Sequence, residues 1–469
     1  MIAANGHVRN ACAGFEDKAM SALPEYLTAS QPNPAANRAV WFKNTAPAYA
    51  GIFVWVAFYL QMAGPTLSES SVAICLLGLA AAGLLSFALF YYVPGMLGMQ
   101  TGRPLYVIGS STFGARGGYL MPGLLMGALQ IGWFSVGTYV ATDFILKGLD
   151  SQHWLAGEPR LLFTVLCAAW GFGFAWVAMK GIRHIARIAH VLDWVPLVML
   201  ILVAWAMRHG VAAYHAPQVR PLHAFAVMLE IVIGFFATAG AAGVDFGMNS
   251  RNRADVVWGG LVGITLPIIV AGGLCIFAVA GAIGSGATTH YNFANAIAHV
   301  GALSGIMFFL FALACMVPTC FTVFISSNSF GTMLPNIPRP VSTFVAAAIG
   351  VTLAATGASN HLVAFFQIVG ASFGPICGAM AADYLLAGCQ WSGPRRGINW
   401  AGYLAWAVGF MVGIIGVVHV PGIPARLAAH DIPATLYSFI AGAIVYGALA
   451  KAGLRPPVES LEAVAPARV

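Results

Sequence analysis

The chain has 469 residues, of which 59% are hydrophobic and only 8% charged, with a mean hydropathy of +0.82. Water-soluble domains carry about a quarter of their residues as charged side chains, so a soluble globular protein is excluded and lipid becomes the main solvent. The net charge of +7 would suggest nucleic acid in a soluble protein; here the placement of charge matters more, and no nucleic-acid partner is expected.

The first 40 residues are polar and mixed, without an early apolar stretch, so the first span is expected to direct insertion. An apolar run of about 20 residues crosses the hydrocarbon core as a helix. Twelve such runs are read, at 46–63, 71–92, 119–146, 161–179, 186–207, 224–246, 255–283, 302–325, 341–357, 361–386, 400–419 and 433–450. The segment from Pro94 to Gly118 is broken by Pro and Gly and is expected to lie at the membrane interface. The eight cysteines fall mostly in apolar runs, with no CxxC pair, and read as small buried hydrophobes.

Orientation follows from Lys and Arg, which accumulate on the cytoplasmic side. With the amino terminus inside, that side collects 17 of the 22 basic residues, among them Arg103, Arg116, Lys180, Arg183, Arg187, Arg251, Arg253, Arg339, Arg395 and Arg396. Both termini are therefore expected in the cytoplasm and the chain in the cell (inner) membrane, the lipid bilayer being its surroundings. Charges at membrane depth are few. Asp143, Asp193 and Asp383 read as anchors near helix ends or partners of nearby Arg, and Asp245 lies at the cytoplasmic end of the sixth span. Glu230, early in the sixth span, is a functional candidate, because intramembrane carboxylates usually serve a function.

Two spans carry residues that weaken helices. The first reads "APAYAGIFVWVAFYLQMAG", with Gly51 in its first half; the sixth reads "IVIGFFATAGAAGVDF", with Gly234 and Gly240 at comparable depth. If spans one to five and six to ten are two repeats, these positions correspond, and interrupted helices at matching places point to a midplane binding site. Packing notches where helices touch are the competing explanation for each glycine. In the third span, "GLLMGALQIGWFSVGTY" sets Gln130, Trp133 and Gly137 along one helical face. A buried carboxamide presents a donor and an acceptor side by side, suited to the N–H/C=O edge of a heterocyclic amide. Trp133 offers a flat face for such a ring, and Phe235 and Phe236 could close the sandwich. A plain helix tie for Gln130 and a core position for Trp133 are the alternatives.

At these residues the sequence resembles the nucleobase–cation symport-1 family, near its cytosine permease branch. The resembling stretches are "GMQTGRPLYVIGSSTFGARGGYLMPGLLMGALQIGWFSVG" (98–137), "GFFATAGAAGVDF" (234–246) and "ADYLLAGCQWSGPRRGINWAGYLAWAVGFMVG" (382–413). The resemblance implies an all-α polytopic membrane protein of 12 transmembrane helices. The fold would be a LeuT-type 5+5 inverted repeat with broken first and sixth helices and two extra C-terminal helices. A cytoplasmic tail (1–44) would precede repeats at 45–208 and 209–386, helices 11 and 12 at 387–452 and a second cytoplasmic tail at 453–469. It implies alternating-access import of a nucleobase or related planar heterocycle (cytosine, purine, hydantoin or allantoin class) with a cation, by a functional monomer without a cofactor.

Residue by residue, the resemblance makes Gln130 the polar anchor and Trp133 the stacking platform. Phe236 matches the sixth-helix aromatic and Phe235 a residue offering backbone contacts. Gly51 and Trp55 match first-helix positions whose carbonyls help hold Na+. In the eighth helix, "MVPTCFTVFISSNSFGTMLP" supplies Thr319 and Thr322 as hydroxyl ligands, with Thr322 also near the substrate. The family asparagine after them is absent, and Met248 stands where Arg is usual, so the resemblance leaves the substrate and the cation open. Na+ is favoured over H+, for which Glu230 would be the carrier. An amino-acid symporter of the same fold is an alternative. A membrane enzyme is disfavoured, since the sequence has no HExxH, no paired Asp-rich motif and no phosphate loop.

Overall fold

A computed structural model describes residues 23–151, 160–180, 185, 192–415, 417 and 433–461, and its regular elements are all helical. Among these residues nine helices are long and apolar enough to cross a membrane. They are the second (Val72–Thr101), third (Gly117–Ser151), fourth (Arg160–Met179), fifth (Trp194–Ala213), sixth (Pro221–Ala241), seventh (Arg253–Gly284), eighth (Ser304–Met333), tenth (Leu362–Leu386) and twelfth (Ala434–Lys451). The first expected span is a bent pair, Thr45–Val54 and Val56–Leu67, with 56° between its halves. The ninth and eleventh are shorter apolar helices, Arg339–Ala355 and Trp400–Ile414. Residues 186–191 and 418–419, predicted to begin the fifth span and end the eleventh, lie outside the described residues, as do Arg183 and Arg187.

The first helix is interrupted, but at Trp55 and not at Gly51. Trp55 takes extended dihedrals (φ −64°, ψ 126°) between two helical segments. A break strands backbone carbonyls that hydrocarbon cannot solvate. One of them, on Val54, accepts a bond from the Tyr59 hydroxyl at 3.2 Å.

The sixth helix differs from expectation. It runs unbroken through both Gly234 and Gly240 to Ala241, and after a turn at Ala242 a short helix follows at Gly243–Gly247. The reason is packing. A Cβ on Gly234 would lie 2.7 Å from the Phe366 carbonyl oxygen, and one on Gly240 would lie 2.7 Å from Phe90 Cβ. These glycines let the sixth helix approach the tenth and the second at backbone distance, the usual use of small residues between membrane helices.

The segment expected at the interface is also different. The second helix continues past Pro94 to Thr101, because a wide π turn at Ser86–Tyr91 opens the hydrogen-bond ladder just before the proline, which has no N–H to give. The next helix, Leu105–Phe113, is buried at every residue except Tyr106 and packs against the tenth and eleventh helices. Asn399 fastens it, donating to the Thr112 carbonyl at 2.9 Å.

The two described terminal segments lie on one face. Asn33 donates its backbone N–H to Gly102, Ala39 to Asn249, and Arg396 to Pro457. Charged residues pair largely as expected. Asp143 meets Lys147 at 2.5 Å, while Asp383, which is buried, accepts from Arg395 at 3.2 Å and from the Tyr446 hydroxyl at 2.7 Å.

Candidate substrate site

Trp133 is buried near the middle of the third helix, and four other rings surround it. Phe366 of the tenth helix lies nearly parallel to the indole, 27° between planes and 5.5 Å between centroids. Phe365 and Phe235 meet it edge-on at 4.9 and 5.0 Å, and Trp55, at the first-helix break, tilts against it at 5.8 Å. The indole N–H donates to the Thr238 hydroxyl at 3.1 Å, which fixes the ring plane. Aromatic faces and edges attract through their quadrupoles, so the first, third, sixth and tenth helices meet here through rings.

Gln130, one turn away, is buried. Its carboxamide makes one hydrogen bond among the described residues, from Nε2 to Met126 Sδ at 3.6 Å. Sulfur is a weak acceptor, so this carboxamide keeps almost its full capacity for a ligand edge. Gly137, the third residue of the expected stripe, serves packing: a Cβ there would overlap the Thr319 hydroxyl. It draws the third and eighth helices together.

Phe235 and Phe236 point to different neighbours. Phe235 reaches Trp133, while Phe236 stacks on Phe53 (26°, 5.7 Å) and tilts against Tyr49. The ring lying flat on the indole belongs to Phe366, not to either sixth-helix phenylalanine. An adjacent aromatic pair in "HLVAFFQIVG" was the available signal. Thr238 was legible as well, three residues from Phe235 and so on the same helical face.

The residues expected to hold the cation lie on the first and eighth helices. Thr319 donates its hydroxyl to the Cys315 carbonyl at 2.6 Å and Thr322 donates to the Thr319 carbonyl at 2.9 Å, so both keep lone pairs free to accept. Among the described residues the buried Trp55 indole N–H has no oxygen or nitrogen partner, and the Cys315 thiol of the eighth helix lies beside it. A Cβ on Gly51 would lie 3.3 Å from Asp193 Oδ2, and among the described residues no atom of Thr319 or Thr322 comes within 4 Å of that point. Gly51 therefore meets the fifth helix, through a carboxylate that the sequence placed near a headgroup.

Glu230 is held elsewhere. Both carboxylate oxygens accept from Thr435 in the first turn of the twelfth helix, from its N–H at 2.8 Å and its hydroxyl at 2.9 Å.

Residues 32–431 match the family model described as "Permease for cytosine/purines, uracil, thiamine, allantoin". The chain belongs to this permease family. It is 25% identical over 329 residues to the cytosine permease of Escherichia coli (strain K12), covering 68% of this chain and 73% of that one. Among solved structures it is similar to the inward-facing conformation of Mhp1 (TM-score 0.69, 17% identity, 92% of this chain and 96% of that one). It is also similar to Mhp1, a nucleobase–cation symport-1 family transporter, in a closed conformation with bromovinylhydantoin bound (TM-score 0.68, 17% identity, 90% and 94% covered). The fold is thus shared with that transporter. The protein is a multi-pass membrane transporter of the nucleobase permease family, not an enzyme.

Proposed function

We propose that this permease imports a planar N-heterocycle of the cytosine, purine, hydantoin or allantoin class together with a cation, Na+ favoured over H+, by alternating access. The observation that carries the reading is the buried pair Gln130 and Trp133: a nearly unpartnered carboxamide one turn from an indole whose face is held by a single ring, Phe366. A heterocycle takes that face when the tenth helix withdraws Phe366, stacks on the indole, and bonds its N–H/C=O edge to Gln130. Phe235 and Thr238 keep the indole in place. Phe236 acts behind them, holding the first helix to the sixth through Phe53.

Na+ would be held by oxygen atoms, from carbonyls of the first helix near Gly51 and Trp55 and from the hydroxyls of Thr319 and Thr322. The Trp55 indole already lies beside Cys315, one turn before Thr319 on the eighth helix, so an ion held between these groups would tie the first helix to the eighth and couple ion binding to conformation. Glu230 is the group for the H+ alternative, and its engagement with Thr435 gives it a structural task that weighs against that role. The basic-residue count supports an inner-membrane orientation with both termini in the cytoplasm, and the substrate path within one chain supports a monomer.

The test is uptake of labelled cytosine, hydantoin and allantoin in proteoliposomes. One of these should show saturable uptake that collapses when Na+ is replaced by choline, and amino acids should not compete. Trp133→Ala should abolish it with normal membrane insertion. Uptake indifferent to Na+ but sensitive to an uncoupler would transfer the coupling role to H+, and normal uptake by Trp133→Ala would remove the stacking site.

A further inference from the structure

A polar cavity lies beside the aromatic cluster, at the end of the bundle away from the terminal segments. It measures about 540 Å³ and is formed where the second half of the first helix meets the start of the tenth. Its polar wall consists of Gln61, Asn360, His361 and Gln367. Gln367 is only 9% exposed. Among the described residues neither its carboxamide nor that of Gln61 makes a hydrogen bond. Gln61 is half-buried and Gln367 nearly buried, and both carboxamides line the same cavity with donors and acceptors that no protein group occupies among the described residues. The volume lies within the range of about 300–1,000 Å³ usual for small-molecule sites.

Gln367 follows directly after Phe366, the ring that covers Trp133. One stretch of the tenth helix therefore walls both spaces: Phe366 faces the inner site and Gln367 faces the outer cavity. Two carboxamides present paired donors and acceptors, the complement of a heterocyclic amide edge, and Leu362, Val363 and Val417 supply apolar wall.

We infer that this cavity is a receiving site, where Gln61 and Gln367 bind the transported heterocycle before Phe366 leaves the indole. The inference rests on the proposed substrate class and adds a second, weaker binding position to it. A ligand bound to Gln367 pulls on the helix that carries Phe366, so occupancy of the outer position favours opening of the inner one.

Equilibrium binding to the purified full-length protein tests this, with labelled cytosine, allantoin and hydantoin as probes. The parent should bind two molecules of the transported probe, one tightly and one weakly. Trp133→Ala should delete the tight site and keep the weak one. Gln61→Leu combined with Gln367→Leu should weaken only the outer site, by about tenfold or more, the worth of one or two hydrogen bonds. Retention of the tight site within about twofold would show that this variant is folded; Gln367→Leu alone is the second variant should the pair not fold. One-site binding by the parent, or a weak site that survives the leucines, overturns the receiving site and leaves the inner site standing. No saturable binding of any probe overturns both.

Discussion

Replacing Glu230 by Gln separates a structural carboxylate from a proton carrier. The parent carboxylate accepts two bonds from Thr435, at 2.8 and 2.9 Å, at the start of the twelfth helix. There the helix exposes unpaired N–H groups and the positive end of its dipole, both of which favour an anion. Charge-assisted bonds contribute about 1.5–3 kcal/mol each and neutral ones about 1 kcal/mol. Glutamine has the same size but a single acceptor oxygen, so it keeps one of the bonds at neutral strength and turns an NH2 toward the other donor. The expected loss is about 2–5 kcal/mol at the junction of the sixth and twelfth helices. Thermal unfolding of the purified protein should report it as a Tm lower by roughly 2–5 °C, from an unfolding entropy of about 2.1 cal/mol/K per residue over the chain. Uptake should remain dependent on Na+ at a reduced rate. A Tm within about 1 °C of the parent would refute the argument that charge holds this junction. Uptake that persists but loses its response to the proton gradient would make Glu230 the carrier.

Three further substitutions probe the ion site, the tenth-helix contact and ligand selectivity. Thr319→Val keeps the shape and removes a hydroxyl; the Na+ concentration giving half-maximal uptake should rise about tenfold, in line with one lost oxygen ligand, and an unchanged sodium curve would remove Thr319 from the ion site. Gly234→Leu drives a side chain into the Phe366 carbonyl, 2.7 Å from the Cβ position; overpacking of this kind costs about 1–3 kcal/mol, to be read as a lower Tm, and a neutral result would show that the sixth and tenth helices are not held at that distance. Gln130→Leu removes the donor–acceptor pair beside the indole, so the parent preference among cytosine, hydantoin and allantoin should flatten in competition assays; undiminished selectivity would place recognition elsewhere.

The long apolar runs revealed most of the helices, because hydrocarbon forces backbone groups to pair within each segment. The first-helix break was legible only as a region: glycine at position 51 weakens a helix, yet the chain opens at Trp55, where Tyr59 can serve the released Val54 carbonyl. In the sixth helix the same residue type has the opposite meaning. Gly234 and Gly240 stay helical because Phe366 and Phe90 crowd them, and a single sequence does not display which neighbour approaches a glycine. Asp193 was read as an end-of-helix charge, since its contact with Gly51 joins residues 142 positions apart. Gln130 and Trp133 were legible as one face because helical spacing is local. That Phe366 lies on that face required the tertiary contact.

The position of Phe366 shifts where affinity has to come from. A heterocycle that stacks on Trp133 replaces a ring already stacked there, at 27° and 5.5 Å. Aromatic pairs of this kind contribute about 0.5–1.5 kcal/mol beyond the area they bury, and most of that is exchanged when one ring substitutes for another. On the proposed reading the substrate's net gain would rest on the groups Phe366 cannot satisfy, above all the Gln130 carboxamide, whose present partner is a thioether sulfur at 3.6 Å. An apolar ring of the same size would lack that gain and leave Gln130 unpaired in hydrocarbon, which costs more than the missing bond alone. On the proposed reading, stacking would make the pocket receptive to planar molecules in general, and the buried carboxamide would decide which of them displaces the protein's own ring.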